Sequence, residues 1–187
     1  MNLQTQRLHL RPVRVNDAPE LFAGRGDPEA MRYWDVPAQR SVDEVRSIIQ
    51  NHLAEIDDGR TQWWAVATSP RGPAIGEVDL SDIDLHHRRA EVGFLYRRAA
   101  WGQGYAREAM ERVMRYGFEE MALERLWARF HAGNEASKRL LEKLGFTYEG
   151  TLRGHVVREG ERRDCHLYGR ARDVAAHQPN ATRPLER

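Results

Sequence analysis

Apolar residues along the chain follow two spacings, one typical of strands and one typical of helices. The N-terminal run "QRLHLRPVR" alternates Leu8 and Leu10 with polar residues, which predicts a strand. Strand-like runs recur at "TQWWAVAT", "AIGEVDLSDID" and "RAEVGFLY", with turn-forming residues between them, so we expect an antiparallel meander. A further strand is predicted at "ERLWARFH", and "FTYEGTLRGHVV" with "RRDCHLYGRA" is typical of a hairpin that turns at Glu159 and Gly160.

Helical spacing fills most of the chain between these strands. The run over residues 41–59 has an apolar face and begins with a capping-box pattern, which predicts a long amphipathic helix. After the meander and a glycine-rich turn, a second helix is predicted to extend to about Met121. Asn134 is placed to cap a third, "NEASKRLLEKLGF", which Gly145 ends.

Two short helices are expected before the long one, the first capped by Asn16 or Asp17 and the second starting at Asp27 with Pro28. The resulting order of elements predicts an α+β fold with a mixed, mostly antiparallel sheet of six to seven strands flanked by helices. One helix joins the strand before the glycine-rich turn to "LWARFH". Two strands joined in this way are expected to be parallel, with a right-handed crossover between them. We expect a ligand where that strand, the turn and the helix meet.

Length and composition narrow the possible classes of function. A chain of 187 residues predicts a single domain, which we assign to residues 1–174, and a mobile tail over residues 175–187, where no apolar period is present. No run approaches the roughly 18 to 20 apolar residues of a membrane helix, and the N-terminus lacks the apolar core of a signal peptide. The single cysteine, Cys165, fits a reducing cytoplasm. A net charge of +1 gives no reason to expect nucleic-acid binding.

The glycine-rich turn lies in "FLYRRAAWGQGYAREAM". Gly102 and Gly104 allow close approach of a ligand to the backbone, and the unpaired N–H groups of a helix start favour an anion. A P-loop is excluded because Tyr105 and Ala106 follow the second glycine, and a dinucleotide-binding fingerprint because position 107 is arginine. By itself the turn leaves two interpretations open, a phosphate-binding site and a tight turn into a core helix.

Two segments together are more specific. "AEVGFLYRRAAWGQGYAREAM", followed farther along by "NEASKRLLEKLGFTYEGTLR", resembles the GNAT N-acetyltransferase superfamily, and most of all its RimJ/RimL-like branch. "QRLHLRPVRVNDAPELF" and "DPEAMRYW" are also similar to that branch, so the resemblance covers about residues 3–172. It implies a sheet that is splayed at its centre. Trp101 departs from the general superfamily pattern of arginine or glutamine, although tryptophan is common in this branch.

The resemblance implies that acetyl-CoA binds as the cosubstrate and that no metal takes part. One strand would hold the pantetheine arm through the backbone of Phe94, Leu95, Tyr96 and Arg97. The turn would hold the pyrophosphate through Gly102, Gln103, Gly104, Tyr105, Ala106 and Arg107. A second helix start would lie along the thioester end and the rest of the arm, with Asn134, Ser137 and Arg139.

Amine acetylation needs a group that takes a proton from the amine and one that returns a proton to the thiolate. Glu91 matches a position that often carries the base or its water relay, with a surface or salt-bridged glutamate as the alternative. Glu77 is the second candidate, and water is the third. Ser137 matches a serine proposed as the acid in RimL-like enzymes, with a capping hydroxyl as the alternative. The tyrosine that many members use as the acid is replaced by Leu141, and the glutamate proposed as base in RimL aligns with Val156.

The leading prediction is an acetyl-CoA-dependent N-acetyltransferase that acts on a protein or peptide N-terminal α-amine. The alternatives are a small-molecule amine acceptor, such as an antibiotic or a polyamine, and a non-catalytic acyl-CoA-binding module. An open cleft beside residues 33–39 would favour a peptide, and a closed acidic pocket would favour a small amine. We expect a cytoplasmic monomer or homodimer that binds neither nucleic acid nor a membrane. His86 and His87 are expected to form a polar turn rather than a metal site.

Overall fold

The computed structural model describes residues 1–172. The strands are β1 (Leu3–Gln4), β2 (His9–Pro12), β3 (Gln62–Ala67), β4 (Ala74–Asp84), β5 (Arg89–Tyr96), β6 (Arg125–His131), β7 (Thr147–Arg158) and β8 (Glu161–Ala171). The α-helices are α1 (Ala18–Arg25), α2 (Val42–Asp57), α3 (Tyr105–Arg115) and α4 (Glu135–Lys143). A π-helical turn, Tyr116–Glu120, extends α3, and short 3-10 turns occur at Val15–Asp17 and Arg98–Ala100.

The eight strands in the described part of the chain form one sheet in the order β1-β2-β3-β4-β5-β6-β8-β7. Every neighbouring pair is antiparallel except β5 and β6, which are parallel and joined through α3. Their pairing ends at Glu91 and Trp127, whereas β5 continues along β4 as far as Tyr96. The two central strands therefore separate beyond Glu91, as the expected splay requires.

Successive side chains along each strand point to opposite faces of the sheet, and helices bury both faces. On one face, α3 and α4 pack with residues such as Leu126 and Leu141 in the larger apolar cluster. On the other, α1 and α2 pack with residues such as Ile49 and Trp63 in the smaller cluster. Val92 and Tyr96 of β5 belong to the larger cluster. Because side chains alternate along a strand, the odd-numbered residues of β5, Glu91 among them, lie on the other face, with α1 and α2.

Local signals in the sequence set most boundaries. Ser41 Oγ accepts the amide of Glu44 at the start of α2, as the capping-box pattern predicts. The closing hairpin turns at Glu159 and Gly160, whose φ values of +54° and +83° fit a two-residue turn. The sheet has one strand more than the upper expected number because Leu3 and Gln4, which precede the predicted run, pair with Leu10 and His9 of β2 across a turn in which Thr5 N donates to Leu8 O.

The prediction of a short helix from Asp27 is wrong, since residues 28–36 form successive turns and bends. A helix needs its carbonyl groups for its own amides, but the carbonyls of Met31, Arg32 and Trp34 accept hydrogen bonds from the side chain of Arg158. A contact distant in sequence thus overrides the local helix signal. The expected mobile tail, residues 175–187, lies outside the described residues.

Candidate active site

The separation of β5 and β6 opens a slot at the centre of the sheet. From Val92 to Tyr96, β5 pairs with β4 on one side only, so the other side of its backbone has no strand partner among residues 1–172. Phe94, Leu95 and Tyr96, predicted to hold the pantetheine arm, lie on this stretch. An unpaired strand edge can bind an extended ligand through its backbone groups.

Some backbone groups at the end of β5 are already paired within the protein. The Arg97 amide donates to Ile75 O at 3.2 Å, and the Trp101 indole N–H donates to Tyr96 O at 2.8 Å. The Trp101 side chain therefore fixes the end of the strand to the glycine-rich turn, which explains a use for tryptophan at this position.

The glycine-rich turn has the backbone shape that the sequence predicted for an anion site. Gly102 and Gly104 have φ values of +73° and +78°, a region that side-chain-bearing residues rarely adopt. A Cβ atom at Gly102 would meet nothing within 4 Å, and one at Gly104 would meet only the Arg7 guanidinium at 3.4 Å. Among residues 1–172, no side chain caps α3, which starts at Tyr105. The space in front of this helix start is thus open, and the residues present fit a bound pyrophosphate.

Hydrogen bonds from three sides brace this turn. Gln103 Nε2 donates to Ala99 O at 2.9 Å, and Arg7 Nη1 donates to Gln103 O at 3.0 Å. Arg7 also pairs with Glu108 on α3 at 2.6 Å. Arg107 is paired with Glu111 at 2.8 Å on the exposed side of the helix. The side chain of Gln103 therefore shapes the turn, while the ligand-binding roles of Gln103 and Arg107 stay predictions.

The start of α4 lies at the end of β6, on the far side of the slot. Asn134 Oδ1 accepts the Ser137 amide at 3.1 Å, which confirms the predicted cap. This bond uses the backbone of Ser137, and its hydroxyl makes no hydrogen bond within the described part of the chain. Ser137 is half-buried and Arg139 is exposed. The hydroxyl is therefore free to bind a ligand.

Glu91 lies at the point where the slot opens, beside Ser81 on β4 and Trp127 on β6. Burial raises the pKa of this carboxyl to about 7, against the effect of Arg129, and the neighbouring carboxylates Asp79, Asp82 and Asp35 raise it further. Glu91 forms no ion pair or hydrogen bond with other residues of the range 1–172. An unpaired carboxylate with a pKa near neutrality suits a general base.

Glu77, the second candidate base, is held by a cation. Its carboxylate is 2% exposed and lies 2.7 Å from Arg25 Nη2. The Arg25 guanidinium stacks near the rings of Trp34 and Trp63, at 5.5 and 5.1 Å. Burial raises the pKa of Glu77, whereas Arg25 opposes that shift. This contact favours a structural role, because proton transfer would break a buried ion pair.

Asp79, which the sequence reasoning missed, lies between Glu77 and Glu91 on the same face of the sheet. Burial and the Glu77 carboxylate raise its pKa to about 6, although a hydrogen bond from Ser81 opposes the shift. A Cβ atom at Gly93 would lie 2.6 Å from Asp79 Oδ1, so only glycine leaves room for this carboxylate. Gly93 was the sequence signal for this contact, because a glycine within a strand often marks a site where another group lies close to the backbone.

Asp35, also missed, ties the turn between α1 and α2 to β6. Arg129 donates to it from Nη1 and Nη2, each at 3.0 Å, and His131 Nε2 lies 2.9 Å away. Burial raises the pKa of Asp35, but His131 and Arg129 outweigh it and hold the pKa below its usual value. The partners are distant in sequence, and no local signal could have paired them.

A cleft of about 610 Å³ adjoins Glu91, because Ser81 and Trp127, its two cross-strand neighbours, line it. Three carboxylates and two arginines contribute to its other walls. The lining residues that carry oxygen acceptors or charge are Glu55, Arg60, Thr61, Ser81, Asp82, Asp84 and Arg89. Leu85 also lines the cleft and is 65% exposed, so the cleft is open to solvent at this residue.

The two predicted catalytic residues belong to opposite faces of the sheet. Glu91 belongs to the α1/α2 face, whereas Ser137 belongs to α4 on the other. His86 and His87 pack against each other at the β4–β5 turn, with ring centroids 4.7 Å apart. Within residues 1–172, no group of three or more metal-ligating side chains is placed to hold an ion. No helix there is long and apolar enough to cross a membrane.

Comparison of this chain with known proteins shows the family to which it belongs. A family model described as "Acetyltransferase (GNAT) domain" matches residues 7–147. The chain belongs to the GNAT acetyltransferase family. The uncharacterized N-acetyltransferase YoaA of Bacillus subtilis (strain 168) is 34% identical over 166 residues, covering 89% of this chain and 94% of YoaA.

More distant members of the GNAT family differ in their named acceptors. The spermidine N(1)-acetyltransferase of Escherichia coli (strain K12) is 27% identical over 156 residues, covering 83% of this chain and 81% of that enzyme. The structure of RimL, a ribosomal L7/L12 α-N-protein acetyltransferase in complex with coenzyme A, has a TM-score of 0.83 at 18% identity and covers 94% and 100% of the two chains. At that identity the likeness shows the fold alone.

GNAT membership confirms the predicted fold class, an acyltransferase activity and acetyl-CoA as the cosubstrate. The RimJ/RimL-like branch stays a prediction, because the sequence relatives include spermidine acetyltransferases as well. The roles of individual residues toward acetyl-CoA and the amine also stay predictions.

Proposed function

We propose that this GNAT enzyme acetylates a primary amine of a small molecule that carries more than one positive charge. The group of carboxylates around Glu91 is the main support for this class of acceptor. Asp79, Asp82 and Asp35 all act on it, and the cleft beside it adds Glu55 and Asp84. Of the nearby cations, Arg129 is bound by Asp35, Arg89 pairs with Asp84 and Arg60 pairs with Asp58. Within residues 1–172, no cation pairs with the remaining carboxylates, Glu55, Asp79, Asp82 and Glu91. Excess negative charge at the acceptor side attracts a polycation.

The relationship to spermidine acetyltransferases supports the same class of acceptor. A protein N-terminal α-amine, the leading prediction from the sequence, is the second candidate. The open side of the cleft past Leu85 favours it, because a peptide needs an exit for the rest of its chain. Charge therefore favours a polyamine, and openness favours a peptide.

In the proposed mechanism the amine arrives as an ammonium ion and gives one proton to Glu91. Bound acetyl-CoA supplies the acetyl group as a thioester, to whose carbon the new N–C bond forms while the C–S bond breaks. Unpaired amides on the open edge of β5 are available to the thioester carbonyl oxygen. As the C–S bond breaks, the Ser137 hydroxyl gives its proton to the departing thiolate from the opposite face, and the second proton released by the acylated nitrogen restores the hydroxyl. Glu91 then releases its proton to solvent.

The test is a thiol-release assay with acetyl-CoA over matched acceptors, with the product identified by mass spectrometry. The panel contains spermidine, spermine, a monoamine of similar length and short peptides with free N-termini. We expect kcat/KM to be highest for the polyamines and to fall when the second charge is removed. A preference for peptides would overturn the polyamine assignment in favour of the second candidate. Tight acetyl-CoA binding without turnover on any acceptor would contradict both.

A further inference from the structure

Arg158, the last residue of β7, is a buried cation without a carboxylate partner among residues 1–172. Its side chain is 8% exposed. Its Nη1 atom donates to the carbonyl oxygens of Met31, Arg32 and Trp34, at 2.7, 2.5 and 3.0 Å. Burying a charge is costly unless several polar groups satisfy it. Its placement among three carbonyls of one turn therefore suggests a specific use.

The bound turn leads directly into Asp35. That carboxylate lies 3.0 Å from both Arg129 Nη atoms and 2.9 Å from His131 Nε2. The segment is thus fixed at two points, by Arg158 through its carbonyls and by β6 through Asp35. Displacing the turn would move the Asp35 carboxylate off β6.

Arg129 shares the sheet face of Glu91, two residues beyond Trp127, which pairs with Glu91. With its two Nη atoms on Asp35, the guanidinium forms no ion pair with Glu91. The other charged groups that act on Glu91 are the carboxylates Asp79 and Asp82 on β4. Arg129 already lowers the pKa of Glu91 without forming an ion pair, and its attraction to Glu91 would grow if Asp35 moved.

We infer that Arg158 is a positioning residue for the acceptor side of the site: it holds the turn over residues 31–34, keeps Asp35 on Arg129 and so keeps the Arg129 guanidinium off Glu91. The inference rests on the proposed role of Glu91 as the base. Through Asp35 and Arg129, Arg158 thereby sets the pH at which the base can accept a proton.

The experiment compares Arg158→Met with Arg153→Met, a control on the same strand whose side chain is 87% exposed. For Arg158→Met we expect acceptor kcat/KM to fall by about ten-fold, because small displacements at a reacting site are costly, while the Kd for acetyl-CoA stays within about two-fold. The acidic limb of the pH profile of kcat/KM should move to lower pH, because a released Arg129 stabilises the Glu91 carboxylate. The control should leave all three unchanged.

Arg158→Lys keeps the inference testable if Arg158→Met folds poorly, because an ammonium can donate to the same carbonyls, and it should move the acidic limb less than Arg158→Met does. Asp35→Asn should move the limb in the same direction by itself, because the Asp35 carboxylate also raises the pKa of Glu91. In a double-mutant cycle, adding Asp35→Asn to Arg158→Met should shift the limb little further if Arg158 acts through Asp35. An unshifted limb in Arg158→Met, fully additive shifts in the cycle, or an equal loss of acceptor and acetyl-CoA binding would overturn the inference.

Glu91→Gln separates this outcome from failure of the proposed function. If Glu91→Gln keeps the acidic limb, Glu91 is not the base and the proposed mechanism fails. If the limb disappears in Glu91→Gln but does not move in Arg158→Met, only the positioning role of Arg158 is wrong.

Discussion

Glu91 pairs with Trp127 in the last parallel pair before β5 and β6 separate. The carboxylate is thereby fixed at the tip of the slot and partly removed from water. Parallel pairing thus has a direct chemical consequence, since burial at this point is the main cause of the raised pKa of Glu91.

Replacing Glu91 with Gln should remove the ionisation that limits the rate in acid. Burial raises the pKa of Glu91 to about 7, so in the wild type kcat/KM should fall as pH drops through that value and the base becomes protonated. Glu91→Gln should lower kcat by roughly 100-fold and flatten this limb. An equilibrium binding titration should show an unchanged Kd for acetyl-CoA. If acetyl-CoA affinity fell as much as kcat, the role of Glu91 would be structural.

Replacing Gly104 with Val should weaken acetyl-CoA binding while the protein stays folded. The new side chain would enter the open space before α3, and the φ of +78° adds strain of roughly 1–3 kcal/mol. Gly59→Val is the matched control, since Gly59 has a φ of +72° and nothing within 4 Å of its Cβ position. Both variants should lose similar thermal stability, but only Gly104→Val should raise the Kd. Equal affinities would contradict the placement of the pyrophosphate.

Local signals in the sequence predicted the parts of the site that are continuous in the chain. The glycine turn, the Asn134 cap and the strand that carries Glu91 depend on short-range rules of backbone conformation, and the structure has them as expected. The acceptor side could not be predicted in this way. Asp35 and Arg129 meet across 94 positions, and Arg158 reaches Met31 across 127. Such contacts depend on strand order and register, which hydrophobic spacing does not determine.

Breaking the Arg25–Glu77 pair should affect stability more than chemistry. Glu77→Gln would leave the buried Arg25 charge without its anion, which typically costs about 3 kcal/mol or more in the free energy of unfolding. Arg25→Met with Glu77→Leu together should recover much of that loss, as measured by chemical denaturation. The acidic limb of the rate profile should persist in Glu77→Gln. Its disappearance would instead identify Glu77 as the base.

Asp79 should make the protein less stable as pH rises. Its folded-state pKa of about 6 lies above the ordinary 3.8, so as pH rises the unfolded chain releases this proton before the folded chain does. The free energy of unfolding therefore falls as pH rises from about 4 to about 6. Asp79→Asn keeps the shape that fits over Gly93 and removes the charge. Its melting temperature relative to wild type should be higher at pH 8 than at pH 4. A difference independent of pH would show that Asp79 titrates normally.

Two neighbouring substitutions should separate capping from acid catalysis at the start of α4. Asn134→Ala removes the acceptor of the Ser137 amide and should cost about 1 kcal/mol of stability. Ser137→Ala leaves that bond intact, because the amide and not the hydroxyl makes it, so its melting temperature should match the wild type. If the hydroxyl protonates the thiolate, Ser137→Ala should lower kcat with acetyl-CoA affinity unchanged. An unaltered kcat in Ser137→Ala would leave the thiolate to be protonated by water.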